Sequence, residues 1–176
     1  MLKKELTQGR ILEAFWNLYE TTEFHKISVT GVCKAAGINR STFYEYFVDI
    51  YQLLDTAENS IFPPKEIAPF FDSSKKQTYF DIEKNLILIQ EQKHHLSILF
   101  TNENNRFRSK FIDYIRPIVS SLMTKEEIDK NSIYAMEYTL WGILGAFECH
   151  IKTCDDNPSE DKFLKILIQL VEKTHY

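Results

Sequence analysis

A single residue, Ile38, lies between Gly37 and Asn39, and no other feature of the sequence restricts the fold as much. Glycine suits the positive φ of a helix end and asparagine is a favoured helix N-cap, so one helix stops and the next begins within three residues. Upstream, Ser28 stands as the N-cap of a segment 29–36, about two turns of helix. Downstream, 40–47 reads as a second short helix, with Phe43 and Phe47 one turn apart on the same face. Two short helices joined by a tight glycine-containing turn form a helix-turn-helix.

The rest of the chain has the same periodicity. Apolar residues recur at intervals of three and four and there is no Asn-Gly or Asp-Gly hairpin pair, which predicts an all-α protein. A first helix is expected over 6–19, with Ile11, Phe15, Leu18 and Tyr19 as its stripe, Trp16 thickening that face, and an end near Thr21. Asp49 can cap a fourth helix reaching Phe62 and carrying Leu53, Leu54, Ala57 and Ile61; Pro63 and Pro64 then break it. That break divides the chain into 1–62, the helix-turn-helix unit with its connecting fourth helix, and 63–176, a second helical domain. Within the second part, helices are expected over 79–92, 94–100, 106–123, 133–153 and 160–173, with Pro117 kinking or straining the third.

Composition excludes several classes. The chain has 176 residues, 44% hydrophobic and 26% charged, with five glycines and five prolines, so it is globular rather than collagen-like or low-complexity. Its longest apolar stretch, 140–147, falls well short of the roughly 18 residues of a membrane span. Lys3 and Lys4 are followed by polar residues instead of an apolar signal segment, so the expected location is the cytoplasm. Cys33, Cys149 and Cys154 have neither zinc nor disulfide spacing and read as reduced structural thiols. The net charge of −4 conceals an asymmetry: residues 1–44 hold six Lys or Arg against four Glu, a net +2, leaving fifteen against twenty-one, a net −6, for the remainder. Any contact with nucleic acid therefore belongs near the N-terminus.

A helix-turn-helix lays its second helix in the DNA major groove, where residues near the helix start reach base edges. Here those are Arg40, Ser41 and Thr42, just after the cap residue Asn39. Arginine can donate twice to guanine, hydroxyls can meet bases or phosphate, and the Thr42 methyl can meet a thymine methyl. Tyr44 and Tyr46 can hold phosphates through their hydroxyls, and Thr30 and Lys34 on the preceding helix can grip the flanking backbone. Each also has a plainer reading: a solvated helix start for Arg40, Ser41 and Thr42, core packing for Tyr44 and Tyr46, and ordinary surface for Thr30 and Lys34.

Ser28-Val29, Val32, Ala36-Gly37-Ile38 and Ser41-Thr42-Phe43-Tyr44-Glu45-Tyr46-Phe47 together resemble the tetracycline-repressor (TetR) family. The aromatic ending is the specific part, and the resemblance covers about residues 6–58; beyond it only helical architecture is shared. It implies a homodimeric transcriptional regulator, usually a repressor, with a C-terminal domain that dimerises and often binds a small-molecule inducer. An activator or co-regulator whose C-terminal domain docks a protein is the alternative. Three positions depart from the family pattern: Ile50 replaces a phosphate-touching lysine, Gly31 an acidic capping residue, and Cys33 an alanine.

Enzyme chemistry has little to stand on. Glu91-Gln92-Lys93-His94 has the Glu-x-x-His spacing of di-iron bundles, but it occurs once where two are needed, so a solvated polar face is the preferred reading. Cys149, His150 and Cys154 lack a paired metal motif, and no nucleophile-elbow spacing is present. The expectation is a non-enzyme with no cofactor.

The last two helices are apolar on more than one face, which calls for more than one packing partner. A two-fold interface is expected to include Leu140, Trp141, Gly145, Leu164, Leu167, Ile168 and Val171; the competing reading buries these helices within one subunit. Phe80, Phe100, Phe107, Phe111, Tyr114 and Tyr138 are candidates for an inducer pocket, and they serve equally well as core filling.

Overall fold

Aromatic and aliphatic side chains at four-residue intervals give the first helix its buried edge, against which the helices at 29–36 and 50–59 pack. The computed structural model of the chain describes residues 2–62, 91–102, 105–122 and 132–153. Among them are seven α-helices and one 3-10 turn, with no strand. They fall into two units, Met1–Ile61 and Phe62–Tyr176.

In the first unit, α1 (Leu2–Thr21) packs on α2 (Val29–Ala36) and on α4 (Ile50–Asn59), and α2 packs on α3 (Arg40–Tyr44). Ile11, Phe15, Trp16 and Tyr19 are buried on α1 as expected, but Leu18 is only half-buried and Ala14 occupies the core instead. From Phe15 an aromatic chain runs to Tyr19 (5.4 Å), from Tyr19 to Phe24 (6.1 Å) in the 3-10 turn Phe24–Lys26, and on to Tyr51 (5.4 Å) at the start of α4. Phe15 and Tyr19 are buried, which contributes about 1.5–3 kcal/mol for each ring, while Phe24 is half-buried and Tyr51 exposed.

α3 is shorter than the expected 40–47. Past Tyr44 the backbone tightens: Glu45 N–H is shared between the Ser41 and Thr42 carbonyls, and Tyr46 N–H donates to Phe43 O (3.0 Å) across three residues instead of four. Phe47 nonetheless stays on the Phe43 face, with ring centroids 5.6 Å apart. α4 stops before the proline pair. Ser60 closes it, its hydroxyl donating to Ala57 O at 2.7 Å; Pro63 and Pro64 lie outside the described residues. Leu53, Leu54 and Ala57 are buried on α4 as the sequence requires, and so is Glu58, which charge patterning would have placed outside.

The second unit contains α5 (Lys93–Thr101), α6 (Asn105–Leu122) and α7 (Ser132–Thr153), each packed on the other two. Leu140, Leu144, Phe147 and Ile151 form the buried edge of α7, against Phe107, Phe111, Ile112 and Ile115 of α6 and Leu96, Leu99 and Phe100 of α5. Pro117 does not end α6, which continues to Leu122. Arg108 of α6 donates through Nε to Glu148 Oε1 of α7 (2.5 Å), and its Nη2 reaches Phe100 O at the end of α5 (3.4 Å), so one guanidinium touches all three helices. The helices expected over 79–92 and 160–173 lie outside the described residues, apart from Glu91 and Gln92. Glu91 and Gln92 precede α5, so Glu91 and His94 do not project from one helix as a Glu-x-x-His site requires.

Two glycines in the first unit should respond oppositely to a methyl group. Gly37 has φ 62°, so Gly37→Ala is expected to cost about 1–2 kcal/mol. A Cβ at Gly31 would meet Ser28 Oγ at an ordinary 3.4 Å inside α2, so Gly31→Ala is expected to be neutral or stabilising by up to about 1 kcal/mol. Denaturant unfolding of both variants measures the two signs, and equal signs would contradict this account of the turn.

Candidate nucleic-acid interface

Backbone chemistry builds the turn between α2 and α3. Ser28 Oγ caps α2 by accepting from Gly31 N–H at 3.1 Å. At the other end Gly37 enters the left-handed region, Ile38 N–H donates to Cys33 O (3.0 Å) and Gly37 N–H to Lys34 O (3.3 Å), the double closure of a Schellman motif. A third carbonyl is taken from outside the motif. Arg10 of α1 donates through Nη2 to Ala36 O at 2.6 Å, placing a positive charge at the negative end of the α2 dipole.

Asn39 then opens α3. Its Oδ1 accepts from Thr42 N–H (2.9 Å), Ser41 Oγ (2.7 Å) and Thr42 Oγ1 (2.9 Å), so one carboxamide oxygen orients both hydroxyls of the helix start. Asp49 does the same for α4, accepting from Gln52 N–H at 2.8 Å.

Of the residues singled out in the sequence, Thr30, Lys34, Asn39, Arg40, Ser41 and Tyr44 are exposed, and Thr42 and Tyr46 are half-buried. Tyr44 is 49% exposed, which decides against core packing as its whole role. Arg40 lies along its own helix: Nη2 donates to Tyr44 Oη at 3.1 Å and the guanidinium sits 5.9 Å from the Tyr44 ring centroid. In the free protein this contact holds the arginine against a ring one turn on, on the solvent side of α3. Burial pushes the Cys33 thiol up from its ordinary range, with Arg40 partly offsetting the shift, so Cys33 is a protonated packing residue beneath the turn. Cys149 is different: it is exposed, so the structural-thiol reading does not hold for it.

Two basic residues that sequence reading did not single out belong to this surface. One is Arg10, through its bond to Ala36. The other is Lys4, whose Nζ lies 6.0 Å from the centroid of the Tyr46 ring. Neither has a local signal, because each acts on a residue far away in sequence.

In the second unit, Phe100, Phe107 and Phe111 come together, with centroids 5.5–6.4 Å apart, and are buried. Tyr114 joins them through Phe62, whose ring is 4.7 Å from Tyr114 and 5.7 Å from Phe107; burial pushes the Tyr114 hydroxyl pKa up. Tyr138 does not join the cluster. It is 74% exposed on α7, and Phe80 lies outside the described residues. Leu140 also needs correction: it is fully buried within its own unit and is not available to a partner, because one helical position turns it about 100° from Trp141. Trp141 and Gly145 are exposed, on a face continued by Tyr134 and Tyr138. Leu164, Leu167, Ile168 and Val171 lie outside the described residues. No described helix is long and apolar enough to cross a membrane.

No protein-family model matches the chain. Over 54 residues it is 41% identical to the HTH-type dhaKLM operon transcriptional activator DhaS of Lactococcus lactis subsp. lactis, a match spanning 31% of this chain and 29% of that protein. Among solved structures, a dihydroxyacetone kinase operon activator DhaS superposes with a TM-score of 0.62 at 20% identity, covering 96% of each chain. NalD, the secondary repressor of the MexAB-OprM multidrug efflux pump in Pseudomonas aeruginosa, gives 0.68 at 17% identity over 97% of each. The fatty acid degradation regulator FadR from Bacillus halodurans gives 0.58 at 17% over 94% of each. At these identities the structural matches establish a common fold.

The cap predicts the stability of α3. Asn39→Ala removes an acceptor that serves three donors and is expected to cost about 1–2 kcal/mol, while Asn39→Asp, which keeps the oxygen, should lose much less. Thermal unfolding compares the two, and equal losses would show that the cap does not hold α3.

Proposed function

We propose that this chain, whose fold is that of the TetR-like transcriptional regulators, is a DNA-binding regulator acting as a homodimer on a two-fold symmetric operator. The observation that carries the proposal is the exposed start of α3: Arg40 and Ser41 face solvent and Thr42 is half-buried, on a helix fixed at its N-terminus by Asn39. Residues 40–46 would enter the major groove, with Arg40 leaving Tyr44 to donate to a guanine edge. The hydrogen bond it gives up is exposed, so releasing it costs little, and the bidentate pair discriminates guanine from the other bases. Thr30, Lys34, Tyr44 and Tyr46 would hold the phosphates on either side, and Asn39 would orient the hydroxyls of Ser41 and Thr42.

Dimerisation is supported by α7, where Tyr134, Tyr138 and Trp141 are 78%, 74% and 54% exposed beside Gly145. Three large rings in water along one helix face are what a second copy would cover, and a glycine among them permits close approach. Ligand response is supported by the aromatic interior of the second unit, where Phe100, Phe107 and Phe111 offer apolar faces and Tyr114 one hydroxyl. An inducer bound there would favour one arrangement of the dimer over another. Such coupling typically amounts to about 1–3 kcal/mol, enough to release the operator. The reading is of a repressor, without catalysis and without a cofactor.

Arg40→Ala is expected to weaken binding to the preferred duplex by about 1–3 kcal/mol while barely changing affinity for a scrambled duplex, with the fold intact. Fluorescence anisotropy on both duplexes measures this, and an unchanged ratio of the two affinities would remove Arg40 from base reading.

A further inference from the structure

The six basic residues of the first 44 are in different states, and the difference identifies a contact outside the helix-turn-helix. Lys26 is paired with Glu23 at 3.0 Å, Arg10 is committed to Ala36 O, and Arg40 to Tyr44. Lys34 is exposed, and the side chain of Lys3 is not described. Lys4 is exposed in the first turn of α1 and, among the described residues, has no carboxylate within ion-pair distance; its ammonium lies over the half-buried ring of Tyr46.

An ammonium on an aromatic face keeps its full charge, because a ring quadrupole attracts a cation without neutralising it. The ring also restrains a four-carbon stem that would otherwise lose side-chain entropy on meeting an anion. Tyr46 is the last residue of the segment proposed to enter the groove, and its backbone is tied to Phe43 O at 3.0 Å. A cation resting on that ring is therefore carried to the rim of the groove, where phosphodiester oxygens run. Ile50, at the start of α4, offers no charge there.

We infer that Lys4, braced on the Tyr46 ring, is a further DNA-backbone contact of this surface, binding a phosphate that flanks the segment read by residues 40–46. The inference rests on the DNA-binding function proposed above. Lys4 would add affinity without adding sequence preference, since a phosphate is the same beside every base pair. Its signature is electrostatic: each phosphate neutralised by a lysine releases counterions, which steepens the dependence of affinity on salt.

The test uses the full chain, with its preferred duplex and a scrambled duplex of equal length titrated over a series of potassium chloride concentrations. Lys4→Gln is expected to reduce the slope of log affinity against log salt by about 0.9 for each bound subunit. It should weaken both duplexes by the same factor, leaving their ratio unchanged. Lys4→Arg keeps the charge and should keep the wild-type slope, whereas Tyr46→Leu removes the ring under the ammonium and should lower the slope toward that of Lys4→Gln. A Lys4→Gln slope equal to wild type, or a loss confined to the preferred duplex, overturns the inference while leaving the DNA-binding reading in place. A Tyr46→Leu slope equal to wild type overturns the bracing. If wild-type protein binds neither duplex, the DNA-binding reading fails first, and Lys4 with it.

Discussion

Gly37, with φ 62°, redirects the chain from α2 into α3, and the rest of the N-terminal surface inherits that change of direction. The left-handed residue lets Ile38 N–H and Gly37 N–H close the end of α2, and Asn39 follows immediately to open α3. Arg10 holds the same corner from α1. A side chain at position 37 would oppose the turn on two counts, backbone strain and a Cβ only 3.3 Å from the Arg10 guanidinium. The relative placement of the two helices is thus set by backbone hydrogen bonds and one charged bond together with the burial of Val32, Ala36 and Phe43.

The outward groups of α3 are ordered before any partner arrives. Asn39 holds the hydroxyls of Ser41 and Thr42, and Tyr44 holds Arg40. Each is an exposed hydrogen bond that water or a base edge can replace at little net cost, so the surface is preorganised without being locked. The charge distribution acts in the same sense: the first 44 residues have a net charge of +2, while the remainder, at −6, disfavours contact with a duplex.

What could be read from the sequence was local. Ser28, Gly37, Asn39 and Asp49 were legible because capping is decided within three or four residues, and all four cap as their types require. The four-residue spacing of Leu140 and Leu144 located the buried edge of α7, but apolar character alone could not separate Leu140, which faces the core, from Trp141, which faces solvent. Tyr138 shows the same limit, since an aromatic on an apolar helix was assigned inward and lies outward. Arg10 and Lys4 were illegible for a different reason. Their partners, Ala36 and Tyr46, become neighbours only when α1 packs against the helix-turn-helix, and no spacing rule spans such a separation. The early end of α3 reflects competition in its last turn, where Tyr46 N–H bonds across three residues while Phe47 keeps its place beside Phe43.

At the centre of this account is a paired molecule that presents the start of α3 to two successive turns of one duplex. Repeated selection of bound fragments from a pool of random duplexes tests it most directly. The account predicts recovered sequences sharing two inverted half-sites whose centres lie about one helical turn, roughly 34–36 Å, or a multiple of it apart. Recovery of no common sequence, or of a single unpaired element, would contradict it.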